Sequence, residues 1–311
     1  MVLARLIGAL GTPLDEDECL LESSLKKHLD EQWSQGIKGV LVGGTMGVMQ
    51  LLRDQTYLNL VKCSVEFTAG RGEVFAGAGD TSFARTRDRI FSLNQYEIDG
   101  VFVITPYFLK FGQPELLDYY RSLASLSKHP LYIYDAPART GTKLEFETVE
   151  RLAEHPNIHG IKCTCGVEWT RELIGRVDGH FQVIPSALPE MHVLLRAGIM
   201  QHLDGLFALM PNWTAEVMQA ADAMNWDRVD ECKNRFVRLF ELVRRFGSFA
   251  SYTAILNARG IPGNFAPAPL RPLSTADRDA LLQDTLFHQE SPPILRGPHA
   301  IDKHARHRSA R

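Results

Sequence analysis

The sequence predicts an α/β protein that folds as a TIM barrel, (β/α)8, with a small C-terminal helical region. Short runs rich in β-branched and apolar residues recur at fairly even spacing, and helix-like segments separate them. Such an alternation indicates parallel βαβ units, and eight units that close on themselves form the barrel. An open, doubly wound sheet is the alternative, but no GxGxxG follows the first strand, as it often does in that fold.

The predicted strands are short apolar runs bounded by glycine, proline or polar residues. In chain order the runs are RLIGALGTP, GVLVGG, VFAGAG, GVFVITP, LYIYDAP, GIKCT, FQVIPS and GLFALM. The last of them, at residues 205–210, is expected to complete the barrel. Segments between the runs, such as residues 19–36 and 114–129, have apolar residues at three- and four-residue spacing, as amphipathic helices do.

The pattern divides the chain into three parts. Residues 1–224 are expected to form the catalytic barrel and residues 225–290 a C-terminal helical region. The segment from Pro211 to Gly247 has a helical pattern throughout, Gly260 ends the helix after it, and Ser274 caps a further one. Residues 291–311 are rich in proline, histidine and arginine without periodicity, so a disordered basic tail is expected there.

Composition and charge exclude several classes of protein. The 45% of hydrophobic and 23% of charged residues are typical of a globular protein. A net charge of −3, with lysine and arginine spread along the chain, predicts neither a nucleic-acid partner nor a membrane partner. The five cysteines are odd in number and lack metal-ligand spacing, which favours a reducing, cytoplasmic location. Arg5 interrupts the first apolar run, which makes it a poor signal peptide.

Lys162 is the most informative position, because it lies in the middle of the predicted strand GIKCT. Side chains alternate along a strand, so Lys162 and Thr164 share one face while Cys163 and Cys165 share the other. Small thiols suit the face that packs under the helices. Lys162 is therefore expected to point into the barrel, near the C-terminal ends of the strands where barrel active sites lie. A salt-bridged or snorkelling lysine at a strand end is the structural alternative.

A lysine inside a barrel has a specific chemical use. At neutral pH only about 0.04% of an ordinary exposed lysine is the neutral amine. Burial or a nearby cation lowers the pKa of a lysine and frees its lone pair to attack a ketone. The sequence therefore predicts that Lys162 forms a Schiff base with a 2-keto acid.

These motifs together resemble the dihydrodipicolinate synthase / N-acetylneuraminate lyase family of class I, pyruvate-handling aldolases. The resemblance includes GTP at 11–13, VGGTMG at 42–47, ITPY at 104–107, YDAPARTG at 134–141, GIKCT and LRPL at 270–273. It implies a Schiff-base lyase or aldolase that condenses pyruvate with an aldehyde, or cleaves a 2-keto acid to pyruvate. It also implies no cofactor beyond the covalent Schiff base, and a homotetramer or homodimer.

The resemblance assigns roles to individual residues. Lys162 matches the Schiff-base lysine, and Tyr134 matches the tyrosine that shuttles protons. Thr45, preceded by Gly44, matches the hydroxyl residue that holds the keto-acid carboxylate; the N–H groups of such a turn also form a nest for an anion. A tight turn that needs glycines would explain the same motif. Arg139 matches the arginine that, in dihydrodipicolinate synthases, receives the carboxylate of the aldehyde.

Several positions depart from the synthases. Met46 stands in place of a second threonine, and Val48 in place of a glutamate. Phe108 replaces a tyrosine that relays protons in the synthases and crosses a subunit interface, while Ser186 stands where the family has a glycine. Met46, Phe108 and Ser186 are still expected to contact the substrate. The hypothesis is that the Schiff-base residues are retained while the relay around them is altered.

Three functions stay open at this point. The APARTG loop favours a dihydrodipicolinate synthase-like substrate with a second carboxylate. The Gly-Gly-Thr turn favours an N-acetylneuraminate or 2-keto-3-deoxy sugar-acid lyase. The departures at Met46, Val48 and Phe108 favour a non-catalytic keto-acid-binding or structural relative, against which Lys162 and Tyr134 argue. In lysine-regulated relatives an acid holds the lysine amine, and Arg85 stands at that position here.

Overall fold

The structure, a computed structural model, describes residues 3–287. The predicted tail at 291–311 and the last residues of the predicted helical region, 288–290, lie outside the described residues. The strands are β1 (Arg5–Ala9), β2 (Gly39–Val42), β3 (Glu73–Gly77), β4 (Gly100–Ile104), β5 (Leu131–Asp135), β6 (Ile158–Cys163), β7 (Gln182–Pro185) and β8 (Gln201–Asp204).

These eight strands form one sheet whose spatial order follows the chain. The order is β7-β6-β5-β4-β3-β2-β1-β8, and the ladders between neighbouring strands are all parallel. The two ends of this row, β7 and β8, contact each other and close the barrel. The predicted (β/α)8 barrel is therefore confirmed. A doubly wound sheet is excluded, because it would require a break in the sequential order.

The prediction for the eighth strand is wrong in position. Residues Gly205–Leu209 of the run GLFALM are helical, and β8 is the preceding segment, Gln201–Asp204. The Asp204 carboxylate accepts the backbone N–H of Leu206 at 2.9 Å and so begins the helix. A short buried apolar run does not distinguish a strand from a helix, and the polar residues Gln201 and His202 concealed the true strand.

The helices lie outside the barrel and after it. They are α1 (Glu22–Ser34), α2 (Asp54–Thr68), α3 (Phe83–Leu93), α4 (Gln113–Leu126), α5 (Pro137–Thr140), α6 (Phe146–Ala153), α7 (Val167–Arg176), α8 (Met191–Arg196), α9 (Gly205–Leu209), α10 (Pro211–Asp222), α11 (Trp226–Phe246), α12 (Ser248–Ala258) and α13 (Thr275–Leu282). Within residues 3–287, none of them combines the length and apolar composition that crossing a bilayer requires.

The C-terminal helices follow the predicted pattern with one interruption. The segment expected to be helical throughout is divided between α10 and α11, because Met224 adopts a left-handed φ of 53° and the Asn225 side chain caps α11. The Ser274 hydroxyl accepts the N–H of Asp277 at 3.1 Å, which confirms the predicted cap of α13. These helices and α9 share one hydrophobic cluster, in which Trp213, Phe236 and Tyr252 are buried.

The inside of the barrel is filled by side chains from alternate strand positions. Phe75, Phe102 and Tyr132 contact one another there, together with Ile184 and four smaller apolar side chains. A second and larger cluster lies between the outer face of the strands and the helices. The apolar filling blocks the barrel below its C-terminal end, so a substrate has access only from that end.

Candidate active site

A cavity of about 630 Å³ lies at the C-terminal ends of the strands. Loops after β2, β5, β6, β7 and β8 contribute to its wall, and residues of α11 and α12 cover one side. Six of the predicted site residues line this cavity, namely Thr45, Met46, Tyr134, Arg139, Lys162 and Ser186. Gly44 and Phe108 are the two that the structure does not bring to it.

Lys162 lies on the inner face of β6, as strand alternation predicts. It is paired in register with Tyr134 of β5 and with the inward-facing Ile184 of β7. The residue is only 6% exposed, and its Nζ lies 4.2 Å from the centre of the Tyr134 ring. The outward neighbour Cys163 belongs to the cluster between strands and helices. A buried amine therefore stands directly beside a phenol that shares the cavity with it.

The surroundings of Tyr134 lower the pKa of its phenol. Burial raises the pKa of Tyr134, but the Lys162 cation, a hydrogen bond from Thr45 and the Arg139 cation outweigh burial, so the pKa is lower than usual. Thr45 Oγ1 lies 3.4 Å from Tyr134 Oη. A phenol with a lowered pKa gives up its proton more readily, which suits it to exchange protons with groups bound at Lys162.

The turn after β2 holds Thr45 at the cavity. Gly43 has a φ of +59°, and a Cβ at that position would lie 2.8 Å from the Tyr57 ring. Thr12 Oγ1 donates a 2.7 Å hydrogen bond to the carbonyl of Gly47 and fixes the far end of the turn. Gly44 lies behind Thr45, beside a smaller void. The glycines are thus explained by close packing, and the turn contributes the side chains of Thr45 and Met46 to the cavity.

Arg139 and Met46 lie on different sides of the cavity. Arg139 is exposed on the short helix α5, which directly follows β5 and ends at Gly141 with a φ of +72°. The Met46 side chain lies against Gly205, where an added Cβ would collide with it. The cavity therefore has a cation at its β5 side and an apolar thioether between β2 and β8.

Phe108 lies apart from the cavity of its own chain. Its side chain is 91% exposed, and its φ of +79° is unusual for a residue other than glycine. The neighbouring Tyr107 is half-buried and packs on the cluster that contains Tyr134. The expected contact of Phe108 with a substrate is not made by the single chain.

Sequence reasoning missed an acidic residue in the cavity, Asp204. Ser186 Oγ donates a 2.7 Å hydrogen bond to Asp204 Oδ2, and both residues line the cavity. Asp204 was overlooked because the eighth strand was predicted one segment too late. An aspartate directly before an apolar helical run is an N-cap signal, and that signal was available in the sequence.

A buried carboxyl group, that of Asp135, lies behind the site. Asp135 follows Tyr134, is completely buried, and accepts a hydrogen bond from the Cys165 thiol at 3.3 Å. Burial raises the pKa of Asp135 to about 6 and that of the Cys163 thiol to about 11. Thiols with a raised pKa are poor nucleophiles, which agrees with a packing role for Cys163. In the part of the chain that the structure describes, no three His, Cys, Asp or Glu side chains are arranged to hold a metal ion.

Comparisons with known proteins identify the family of the chain and agree with its fold. The model of the dihydrodipicolinate synthetase family matches residues 2–287. A 4-hydroxy-tetrahydrodipicolinate synthase from Stenotrophomonas maltophilia (strain R551-3) is 30% identical over 285 residues, which cover 90% of this chain and 94% of that protein. A solved dihydrodipicolinate synthase from Bacillus anthracis has a TM-score of 0.86 at 21% identity, over 93% of this chain and 99% of that chain. The chloride-inhibited dihydrodipicolinate synthase from Acinetobacter baumannii, solved with pyruvate, has a TM-score of 0.82 at 24% identity, over 90% and 97%. The structural matches establish the fold.

Proposed function

The chain belongs to the dihydrodipicolinate synthetase family of Schiff-base, pyruvate-dependent aldolases, and we propose that it condenses pyruvate, held on Lys162, with an aldehyde that carries a carboxylate. The observation that carries this proposal is the buried amine of Lys162, 4.2 Å from the centre of the Tyr134 ring inside the cavity. Thr45 links this pair to the turn that would receive the carboxylate of pyruvate.

The first half of the reaction attaches pyruvate to the protein. After losing its proton, the Lys162 amine attacks the carbonyl carbon, and Tyr134 gives a proton to the oxygen as the tetrahedral adduct forms. Loss of water leaves a cationic imine. The methyl group of pyruvate next to this cation becomes acidic, and loss of one proton from it gives an enamine. Tyr134, whose pKa is lowered by Lys162, Thr45 and Arg139 against the effect of burial, is the nearby group that can exchange these protons.

The second half joins the two substrates. The enamine carbon attacks the aldehyde carbon, and the aldehyde oxygen takes up a proton. Arg139 at the β5 side holds the carboxylate of the aldehyde, because a guanidinium binds a carboxylate with two parallel hydrogen bonds. Water, or an amine of the new product, then attacks the imine carbon and releases Lys162. Since pyruvate is activated by its covalent bond to Lys162, the proposed reaction uses no further cofactor.

The synthase-like activity is favoured over the two alternatives. Two relatives that align along nearly the whole chain, from Stenotrophomonas maltophilia and Streptomyces coelicolor, are 4-hydroxy-tetrahydrodipicolinate synthases. The arrangement of Lys162, Tyr134 and Thr45 argues against a non-catalytic relative, because a structural protein has no use for a buried amine beside a phenol.

We also propose that the chain forms a homodimer or homotetramer. Phe108 is 91% exposed and Leu109 is 61% exposed, so a second copy that covers this loop would remove two large apolar side chains from water. Light scattering on the purified protein would test this directly, and a strictly monomeric chain would contradict it.

Reductive trapping tests the central step. With pyruvate and borohydride, mass spectrometry should find one reduced pyruvyl group, located on Lys162. Lys143→Arg is the matched control, because Lys143 is an exposed lysine that stacks on Trp169 beside the same end of the barrel. That variant should still be labelled at Lys162, whereas Lys162→Arg should not be labelled. Label on surface lysines with none on Lys162 would refute the mechanism.

A further inference from the structure

The wall of the cavity formed by β7 and β8 carries acceptor groups that the proposed reaction does not use. Ser186 Oγ donates to Asp204 Oδ2 at 2.7 Å, and the N–H of Leu206 donates to Asp204 Oδ1 at 2.9 Å. The hydroxyl hydrogen of Ser186 is thus already committed to the carboxylate. What the pair presents to the cavity is oxygen lone pairs, from both the hydroxyl and the carboxylate.

The position of this pair relative to Lys162 follows from the strand order. In the barrel, β5 lies on one side of β6 and β7 lies on the other. Arg139 directly follows β5, whereas Ser186 and Asp204 lie at the ends of β7 and β8. Lys162 pairs with Ile184, so the backbone of Ser186 lies two residues nearer the cavity mouth than that of Lys162. A molecule bound above Lys162 therefore meets a cation on one side and acceptors on the other.

The pair is held rigidly. The backbone N–H of Ser186 donates a 2.9 Å hydrogen bond to the carbonyl of Cys163, the residue after Lys162. Asp204 caps α9, whose residues after the first are buried. Both oxygens are therefore fixed in relation to the amine before any substrate arrives, which lowers the ordering cost of a hydrogen bond to them.

We propose that Ser186 and Asp204 together determine specificity by receiving a hydrogen-bond donor on the carbon chain of the aldehyde, while Arg139 receives its carboxylate. The inference rests on the proposed aldol reaction. The donor is an ammonium or a hydroxyl group, since either satisfies an acceptor-only wall. An aldehyde that lacks a donor would leave the remaining lone pairs of these oxygens without a donor once water is displaced, and such a site discriminates between aldehydes.

The test uses three aldehydes of four carbons, each with a terminal carboxylate. They differ only at the carbon next to that carboxylate, which carries an amino group, a hydroxyl group or hydrogen. For each one, kcat/KM with pyruvate is measured for the wild type, Asp204→Asn and Ser186→Ala. Asparagine retains the helix cap, and Ser186→Ala leaves Asp204 in place. Glu241→Gln, an exposed acid on α11, is the matched charge control.

In the wild type the kcat/KM of the preferred donor-bearing aldehyde should exceed that of the unsubstituted one by at least about tenfold, and at least one of the two variants should lose most of that preference. If Asp204→Asn lowers kcat/KM only for the amino aldehyde, the donor is an ammonium, because the neutral amide oxygen of asparagine still accepts a hydrogen bond from a hydroxyl. A preference unchanged within about twofold in both variants would overturn the inference.

Pyruvate trapping on Lys162 separates this failure from that of the proposed function. If pyruvate is trapped on Lys162 but the aldehyde preference is unchanged in the variants, only the proposed role of Ser186 and Asp204 is rejected. No trapping in the wild type rejects the aldol reaction and the inference with it.

Discussion

Replacing Asp135 with asparagine would measure the cost of a carboxyl group buried behind the proposed proton shuttle. Asp135 follows Tyr134 in β5, and its side chain is 0% exposed. Burial raises its pKa to about 6, against the opposing effects of the Cys165 thiol, the N–H of Leu144 and the Lys143 cation. The folded protein therefore keeps this proton to a much higher pH than the unfolded chain, in which the pKa returns to about 3.8.

The size and sign of the effect follow from these two values. Between them the native state binds more protons than the unfolded state, so the free energy of unfolding falls as the pH rises. The pKa values differ by about 2, and each pKa unit corresponds to 1.36 kcal/mol, so the loss is about 3 kcal/mol. The loss begins near pH 4 and is complete at roughly pH 7.

Urea denaturation across this pH range would measure the effect. Asparagine at position 135 does not titrate, so the stability of Asp135→Asn relative to the wild type should rise by about 2.5 kcal/mol between pH 4 and pH 7.5. Any fixed penalty from the new amide is the same at each pH and cancels in this comparison. Cys165→Ala should steepen the wild-type loss, because the thiol that favours the charged form is removed.

Asp118→Asn, a change of the same type at an exposed position on α4, is the control and should leave the pH dependence unaltered. If the difference between Asp135→Asn and the wild type stays constant within about 0.5 kcal/mol, the carboxyl group is not protonated in the folded protein and the reasoning is refuted.

Other predictions concern the substrates and regulation. Arg139→Ala should lower kcat/KM for acidic aldehydes by about 10- to 150-fold, which corresponds to the loss of a charged hydrogen bond of about 1.5–3 kcal/mol. Trapping of pyruvate on Lys162 should persist in this variant. If trapping falls as much as kcat/KM does, Arg139 has a structural role instead. The double change Phe108→Tyr and Met46→Thr should raise turnover of pyruvate with aspartate semialdehyde by up to about 10²-fold, if the proposed oligomer brings residue 108 of a second copy to the cavity and a proton relay is damaged there. Rapid turnover already in the wild type would contradict that idea. Free lysine should not inhibit strongly, because the carboxylate that could hold its amine, Asp80, is already paired with Arg85 at 2.8 Å and with Arg89 at 2.7 Å beside a cavity of about 540 Å³. Inhibition at submillimolar lysine in a steady-state assay would contradict this prediction.

The inward orientation of the Lys162 side chain could be predicted from the sequence. It depends only on the alternation of side chains along a strand and on the preference of small thiols for the face that packs under the helices. The helix cap at Ser274 could be predicted for a similar reason, because it is a contact between two residues only three positions apart in the sequence. Both are local properties, and the structure agrees with both.

Contacts between distant segments were harder to predict. The bond from Ser186 to Asp204 joins two loops that only closure of the barrel brings together. The place of β8 was missed because Leu206 to Leu209 are all buried, which removes the periodicity that would distinguish a helix. The exposure of Phe108 depends on a left-handed backbone conformation that its residue type does not suggest.

The C-terminal helices contribute Phe249 and Tyr252 to the wall of the cavity, and the Tyr252 hydroxyl reaches the carbonyl of Gly205 at 3.4 Å. Because these helices form part of the cavity wall, exchanging them between relatives would also change the shape of the substrate site. A chimaera that joins this barrel to the C-terminal helices of another member would inherit part of the donor's substrate preference along with its fold. Recombination within the family must therefore preserve the contact between the barrel and these helices. Substitutions at residues 249 and 252 could change the substrate preference without altering any strand of the barrel.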